Sequence, residues 1–460
     1  MKQLVQNNQK KSFFSTAQTI ALGFLSIIFF GAIVLFLPFC NKVDISFTDC
    51  LYMSTSAVCL TGLSPVPLHT SFSAFGQVFF LMLIQVGGLG FTTITSLIFI
   101  IIKKKITYRE RLILQESLNQ DKTRGIVKLT KNICLFTFLC EFIGFLILAP
   151  LLFIKNGAIG IWQAIFTSVS AFCNAGFDIF ATSQNPYPSL TEYYDNPLFL
   201  LTISALIIVG GLGFVVISNI FTKRRYNRKL SVTTKTVLIA TSILLILGTV
   251  ITFSMEYNGK AFENMNFGEK LLNSFFQSVT SRTAGFSTVN QDELSLPVKV
   301  MTMIFAFIGG APASTAGGIK LTTVAVLIAV MIAGLKNRDD VTLFKRTINR
   351  KTSIKAISSM LVAIFIIMIT STLVMLIEKN GALAKNGFFT MEDIMFETLS
   401  AFGTVGLSTG VTPYFSTMSK YLFMATMFFG RVGTITVGLL FFSNKSRQLF
   451  RYPEENIMIG

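Results

Sequence analysis

The chain has 460 residues, 52% of them hydrophobic and 13% charged, with a mean hydropathy of +0.65. So little charge cannot cover the surface of a soluble protein of this length, which points to a membrane protein. The net charge of +17 suggests nucleic-acid binding only until its placement along the chain is read.

Residues 1–16 are a basic tail. The apolar run Ala17–Pro38 is too long for a removable signal peptide, lacks a small-residue cleavage site, and reads as a transmembrane helix. With Phe75–Ile102 it frames a first repeat at 17–103, followed by a loop at 104–131. Ile133–Ile154 and Leu198–Phe221 frame a second at 132–222, and a loop at 223–235 follows. Val237–Phe253 and Val298–Leu335 frame a third at 236–335. After a loop at 336–355, Ile357–Ile377 and Tyr421–Phe442 frame a fourth at 356–443, with a tail at 444–460. Each run is long enough, or nearly so, to cross roughly 30 Å of hydrocarbon. The expected class is an all-α polytopic membrane protein with eight transmembrane helices.

Of the 39 Lys and Arg, 28 fall in the two tails and the three loops just named or at their edges, all on one side of an eight-span chain. Nine fall on the opposite side, and Lys320 and Arg431 lie within apolar runs. This bias predicts that both termini are cytoplasmic and that the basic loops meet anionic lipid headgroups; it replaces nucleic acid as the explanation of the charge. The six cysteines lack metal-site spacing, and Cys40 and Cys50 are the one pair that could face outward together.

Four segments align without gaps on one glycine each: Ser56–Ser64 on Gly62, Ser170–Asp178 on Gly176, Val279–Ser287 on Gly285 and Ser400–Ser408 on Gly406, spaced by 114, 109 and 121 residues. Each follows a short amphipathic run: Phe47–Ala57, Ile161–Phe172, Lys270–Ser281 or Met391–Phe402. Three turns cannot span a bilayer but suit a re-entrant pore helix, and irregular backbone at membrane depth requires a cavity beside it. Four helix–pore loop–helix units around one central pore are therefore expected. A second glycine signal lies in the following helix. Gly87-Gly88 and Gly210-Gly211 both occur as Val-Gly-Gly-Leu-Gly-Phe, Gly309-Gly310 holds the third copy and Gly430-Arg431 the fourth. For the first two copies close helix packing and a functional role are both open.

A bare alkali cation can be passed when rings of backbone carbonyls replace its hydration shell, and glycine supplies the dihedrals that turn carbonyls inward. Ordinary tight turns are the competing account, and they do not explain fourfold recurrence in one topological place. On these segments the sequence resembles the Trk/Ktr/HKT superfamily of potassium transporters, nearest the bacterial KtrB type, over nearly the whole chain. The resemblance implies K⁺ coordination along Val58-Cys59-Leu60-Thr61-Gly62, Phe172-Cys173-Asn174-Ala175-Gly176, Ser281-Arg282-Thr283-Ala284-Gly285 and Phe402-Gly403-Thr404-Val405-Gly406. It also implies potassium preference from a glycine at position 62, no cofactor, a homodimer, and a cytoplasmic nucleotide-binding RCK ring of the KtrA type in a bacterial plasma membrane. Sodium remains open as a coupling ion.

Gly309-Gly310-Ala311-Pro312-Ala313-Ser314-Thr315-Ala316-Gly317-Gly318 interrupts an apolar run with four glycines and a proline, which disfavours helix by several kcal/mol. The segment is expected to project into the pore below the filter, and the resemblance implies that it gates. Arg431 has five donors with which to hold the loop's carbonyls and latch it closed, with Lys320 assisting. Asp178 could concentrate cations at the outer mouth, although a loop carboxylate is commonplace. Glu141 lies in an apolar helix, as a functional group or a structural hydrogen-bond acceptor. Trp162 suits an interfacial anchor, and His69 is incidental. No phosphate loop, dinucleotide fingerprint or catalytic metal cluster is visible, so no enzymatic activity is expected. The competing functions are a sodium- or ammonium-permeable homologue and a secondary transporter with inverted repeats.

Overall fold

The computed structural model describes residues 16–102, 106–117, 125–226, 229–379 and 390–433, together with Pro453 and Glu455. The expected tails lie outside the described residues, apart from Thr16, Pro453 and Glu455. So do 103–105, 118–124 and 227–228 of the loops, and the last apolar run beyond residue 433.

Among the described residues four helices are long and apolar enough to cross a membrane unaided: Thr16–Phe36, Ile126–Asn156, Val232–Glu256 and Arg350–Glu378. The last three begin inside segments expected to be loops, because Ile126, Val232 and Arg350 add helical turns before the apolar run. The remaining parts of those segments carry a short helix, Tyr108–Ser117, and a two-stranded hairpin pairing Thr342–Leu343 with Arg346–Thr347.

A short helix follows each long one: Phe47–Cys59, Ala158–Phe172, Phe267–Thr280 and Met391–Gly403. Ser46, Asn266 and Thr390 cap three of these N-termini, a use of polar residues that ends the preceding loop and satisfies orphan N–H groups. Small residues let each pair approach closely. Ser54 Oγ donates to Ile28 O at 2.7 Å, Ser168 Oγ to Glu141 O at 2.5 Å and Ser278 Oγ to Leu245 O at 3.0 Å. A Cβ on Gly31, Gly144 or Gly248 would strike the same serines.

The helix that closes each of the first three repeats is built in two pieces, whereas the sequence placed a break only in the third. Ala74–Leu89 and Phe91–Ile101 meet at Gly90 with φ +78°, and Pro197–Leu212 and Phe214–Tyr226 at Gly213 with φ +85°. The second of these joints bends by 90°. Thr417–Val432 ends at Gly433, φ +93°. In the third repeat Leu296–Phe307 and Leu321–Leu335 flank the stretch 308–320. Gly90, Gly213 and Gly433 all stand three residues after the first glycine of their pair, and only glycine tolerates these dihedrals without strain.

The repeats form a ring in chain order, each closing helix packed against the next repeat's short helix and the fourth against the first. Polar contacts mark the seams. Trp162 Nε1–H donates to Gln77 Oε1 at 3.0 Å across the first seam, so this indole joins two repeats. Asn273 Nδ2 donates to Tyr194 O at 3.0 Å across the second. Lys299 meets Glu392 at 3.0 Å across the third, and Lys420 meets Asp49 at 2.6 Å across the fourth. Lys299 and Lys420 each stand fourteen residues after their repeat's aligned glycine. Asp49 also sits in the first turn of its helix, where the dipole favours negative charge. Lys420 and Asp49 are largely buried, so Lys420→Ala is expected to strand the carboxylate and destabilise the protein by about 2–3 kcal/mol. A thermal unfolding midpoint in detergent checks this, and adding Asp49→Asn should recover most of the loss.

Candidate functional site

The four aligned glycines meet at the centre of the ring. A Cβ built on Gly62 would lie 2.8 Å from Ala175 O and 3.0 Å from the Gly406 Cα. One on Gly176 would lie 2.7 Å from Ala284 O and 2.9 Å from the Gly285 Cα. Gly285 is closed in by Val405 O and Gly406 by Thr61 O. Each glycine thus faces the carbonyl that precedes the next repeat's glycine, in unbroken cyclic order. The backbone repeats the same pattern four times. φ is positive at the glycine (+94°, +71°, +81°, +93°) and again two residues earlier, at Leu60, Asn174, Thr283 and Thr404 (59°, 55°, 69°, 52°). Four non-glycine residues in a disfavoured region, at equivalent places, indicate backbone held by its surroundings.

The short helices supply that support. Gly62 N–H donates to Ser56 Oγ at 3.2 Å and Gly406 N–H to Ser400 Oγ at 3.0 Å. Ser170 Oγ donates to Phe177 O at 2.7 Å, and Thr280 Oγ1 to Phe286 O at 2.6 Å. Of the residues flagged in the third segment, Arg282 is buried and its Nε has no hydrogen-bond partner.

On one side of the ring a cavity of about 370 Å³ opens, lined by all four glycines and by Asp178, Asp292 and Glu293. Asp178 is more than the exposed loop carboxylate its sequence position suggested: it is half-buried in the vestibule wall, and Phe180 N–H donates to its Oδ1 at 3.1 Å.

On the other side lies the stretch 308–320. Its contacts follow from the broken helices, whose last carbonyls have no intrahelical partner. Ala311 N–H donates to Gly211 O at 3.0 Å, Thr315 N–H to Gly210 O at 3.4 Å, and Phe214 N–H returns a bond to Ala313 O at 3.0 Å. Gly309 N–H donates to Ile319 O at 2.9 Å, which closes the loop on itself. Thr315 Oγ1 reaches Phe172 O and Asn174 Oδ1, each at 3.4 Å, and a Cβ on Gly317 would strike the Thr404 side chain. Lys320 Nζ donates to Ala316 O at 2.7 Å. Arg431 bridges two repeats: Nη1 donates to Thr315 O, and Nη2 to Gly87 O at 2.5 Å.

The glycine pairs also serve close approach. A Cβ on Gly87, Gly210 or Gly430 would collide with the carbonyl of Val58, Phe172 or Phe402, the last turn of that repeat's short helix. At Gly87 and Gly210 packing and the joint three residues later therefore coexist. Glu141 accepts from Gln85 Nε2 at 3.0 and 3.3 Å and lies 3.8 Å from Cys173 Sγ, below the second segment. His69 lies 3.4 Å from Gln77 Nε2. All six cysteines are free, including Cys40 and Cys50. Among the described residues no cluster of His, Cys, Asp and Glu could hold a metal ion. Sequence reasoning passed over Glu397, wholly buried beside the fourth segment, which accepts from Ser408 Oγ and, at 3.1 Å, from Thr412 Oγ1.

The TrkH family, described as cation transport proteins, matches residues 7–452. Potassium/sodium uptake protein NtpJ of Enterococcus hirae is 38% identical over 402 residues, 87% of this chain and 86% of that protein. Ktr system potassium uptake protein B of Bacillus subtilis is 37% identical over 402 residues, 87% of each. The crystal structure of the potassium transporter TrkH from Vibrio parahaemolyticus superposes with a TM-score of 0.72 at 17% identity, covering 96% of this chain and 87% of that one.

Proposed function

The chain belongs to the TrkH family of cation transport proteins, and from that premise we propose that it is the pore-forming subunit of a Ktr-type potassium uptake system. It is a multi-pass membrane transporter and not an enzyme. Potassium passes through the ring of Gly62, Gly176, Gly285 and Gly406, where carbonyls replace its water. The reading rests on one observation above the others, the closed ring of four glycines with a fourfold-repeated pair of left-handed residues. The stretch 309–318, held by Arg431 and Lys320, is the gate. The vestibule faces outward and the basic loops inward, with both termini cytoplasmic in a bacterial plasma membrane. A cytoplasmic nucleotide-binding ring docks on the basic face, and the subunit acts as a homodimer. Growth of a potassium-uptake-deficient bacterium at low potassium tests the assignment; failure of rescue with a cognate regulatory subunit present overturns it.

Sodium permeation is the second reading, favoured by the relative named a potassium/sodium uptake protein and by filter segments of which only Thr404-Val405-Gly406 reads like a potassium-channel filter. Measuring uptake of both ions in proteoliposomes separates the two.

The orientation carries a pH prediction. Burial pushes the Asp178 carboxyl up to about 6. Above that pH it is charged and draws cations into the vestibule; below it the charge is lost. Lowering external pH from about 7.5 to about 5.5 is expected to raise the KM for K⁺ two- to threefold, roughly. Asp178→Asn should show the raised KM at both pH values, and an unaltered profile in that variant removes Asp178 from the explanation.

A further inference from the structure

We propose that Glu397 sets the cation affinity and selectivity of the vestibule end of the filter, a role that rests on the four-glycine ring being the potassium path. Glu397 stands nine residues before Gly406 on the fourth short helix. The equivalent places in the other repeats hold Met53, Thr167 and Phe276, so one wall in four carries a carboxylate at this position. Its side chain is wholly buried and forms no ion pair among the described residues. Ser408 Oγ–H donates to Oε1 and Thr412 Oγ1–H to Oε2 at 3.1 Å. Both hydroxyl residues line the 370 Å³ vestibule, and Ser408 Oγ also accepts from Gly410 N–H at 2.9 Å. The carboxylate therefore fixes the stretch that leaves the filter two residues after Gly406. A second observation concerns Tyr52 of the first short helix. It is wholly buried, and its hydroxyl has no hydrogen-bond partner among the described residues.

A buried carboxylate without a protein cation is costly; hydrogen bonds, a proton or a positive charge nearby lower that cost. Here the path beside it is the one a permeating cation takes. In surroundings of low dielectric a buried charge reaches further than in water, so Glu397, one hydroxyl removed from the vestibule, favours a cation there. Its two hydroxyl partners tie it to the stretch that leaves the filter at that wall. Glu397 acts on the cation by its charge at a distance and on the wall through Ser408 and Thr412; it touches no ion itself and is a positioning residue.

The test compares wild type, Glu397→Gln, Glu397→Asp and Ser408→Ala for K⁺ and Rb⁺ uptake, with Na⁺ as competitor, normalised to membrane abundance. Glu397→Gln keeps the shape and removes the charge. It is expected to raise the KM for K⁺ about tenfold with Vmax within about twofold, and to let Na⁺ compete more effectively. Glu397→Asp should restore much of the affinity, and Ser408→Ala should raise KM about threefold with the charge untouched. A loss of Vmax at constant KM in both Glu397→Gln and Ser408→Ala indicates a merely structural role and overturns the proposal, as does a wild-type KM with wild-type Na⁺ competition. If Glu397→Gln does not reach the membrane, Ser408→Ala decides alone by the same criterion. Wild type that takes up no K⁺ instead defeats the potassium reading itself.

Discussion

Replacing Gly176 with alanine is expected to lower K⁺ uptake at least about a hundredfold while the protein still reaches the membrane. The new Cβ would stand 2.7 Å from Ala284 O and 2.9 Å from the Gly285 Cα, both backbone of the neighbouring wall, which has no side chain to swing aside. The residue also holds φ +71°, which costs an L-residue about 1–2 kcal/mol before any clash. A hundredfold loss corresponds to about 2.7 kcal/mol on the barrier, which strain and displaced carbonyls together readily reach. Gly90→Ala is the control. It shares a positive φ, +78°, but a Cβ there meets open space, so its cost is the dihedral alone, about 1–2 kcal/mol. Uptake of ⁸⁶Rb⁺ normalised to membrane abundance reads both variants. Similar losses in the two would mean that backbone strain, and not the ring, explains the effect.

Replacing Arg431 with alanine is expected to have the opposite sign, raising K⁺ flux about tenfold or more when no activating subunit is present. Its guanidinium donates to the loop at Thr315 O and to the broken helix of the first repeat at Gly87 O, so it ties the third repeat to the first beneath the filter. Hydrogen bonds from a charged donor contribute about 1.5–3 kcal/mol each, and losing even one shifts a closed–open balance by about tenfold. On the proposed potassium path, a positive charge disappears with them. Arg431→Lys keeps the charge but cannot span two carbonyls with a planar fork, so an intermediate flux is expected. Flux equal to or below wild type at normal abundance would sink the latch.

Much of this was legible in the sequence because the informative residues recur in register. Gly62, Gly176, Gly285 and Gly406 could be aligned without gaps, and residues 309–318 announce a break through four glycines and a proline. The other breaks were missed because an isolated glycine in an apolar run looks like a packing residue. The signal was nonetheless there, in Gly90 and Gly213, each three residues after the first glycine of its pair. Likewise Lys299 and Lys420 share a register position, yet nothing local identifies Glu392 and Asp49 as their partners. Glu397 was invisible for a different reason. A lone carboxylate on a short amphipathic helix reads as its solvated face, and only the fold turns it toward Ser408 and Thr412. The partner of Trp162, Gln77, was not legible because interfacial depth was all the sequence offered.

The seam between the fourth repeat and the first has a consequence for how the protein is made. Lys420 and Asp49 are 371 residues apart, and the other seams join neighbours in the chain. With synthesis at about 5–20 residues per second, Asp49 emerges on the order of 20–70 s before its partner exists. Throughout that interval the first short helix presents a charged, half-built wall to lipid or to the insertion machinery. The ring is thus an open crescent until the last repeat arrives, and its biogenesis should depend on whatever shields that edge in the meantime.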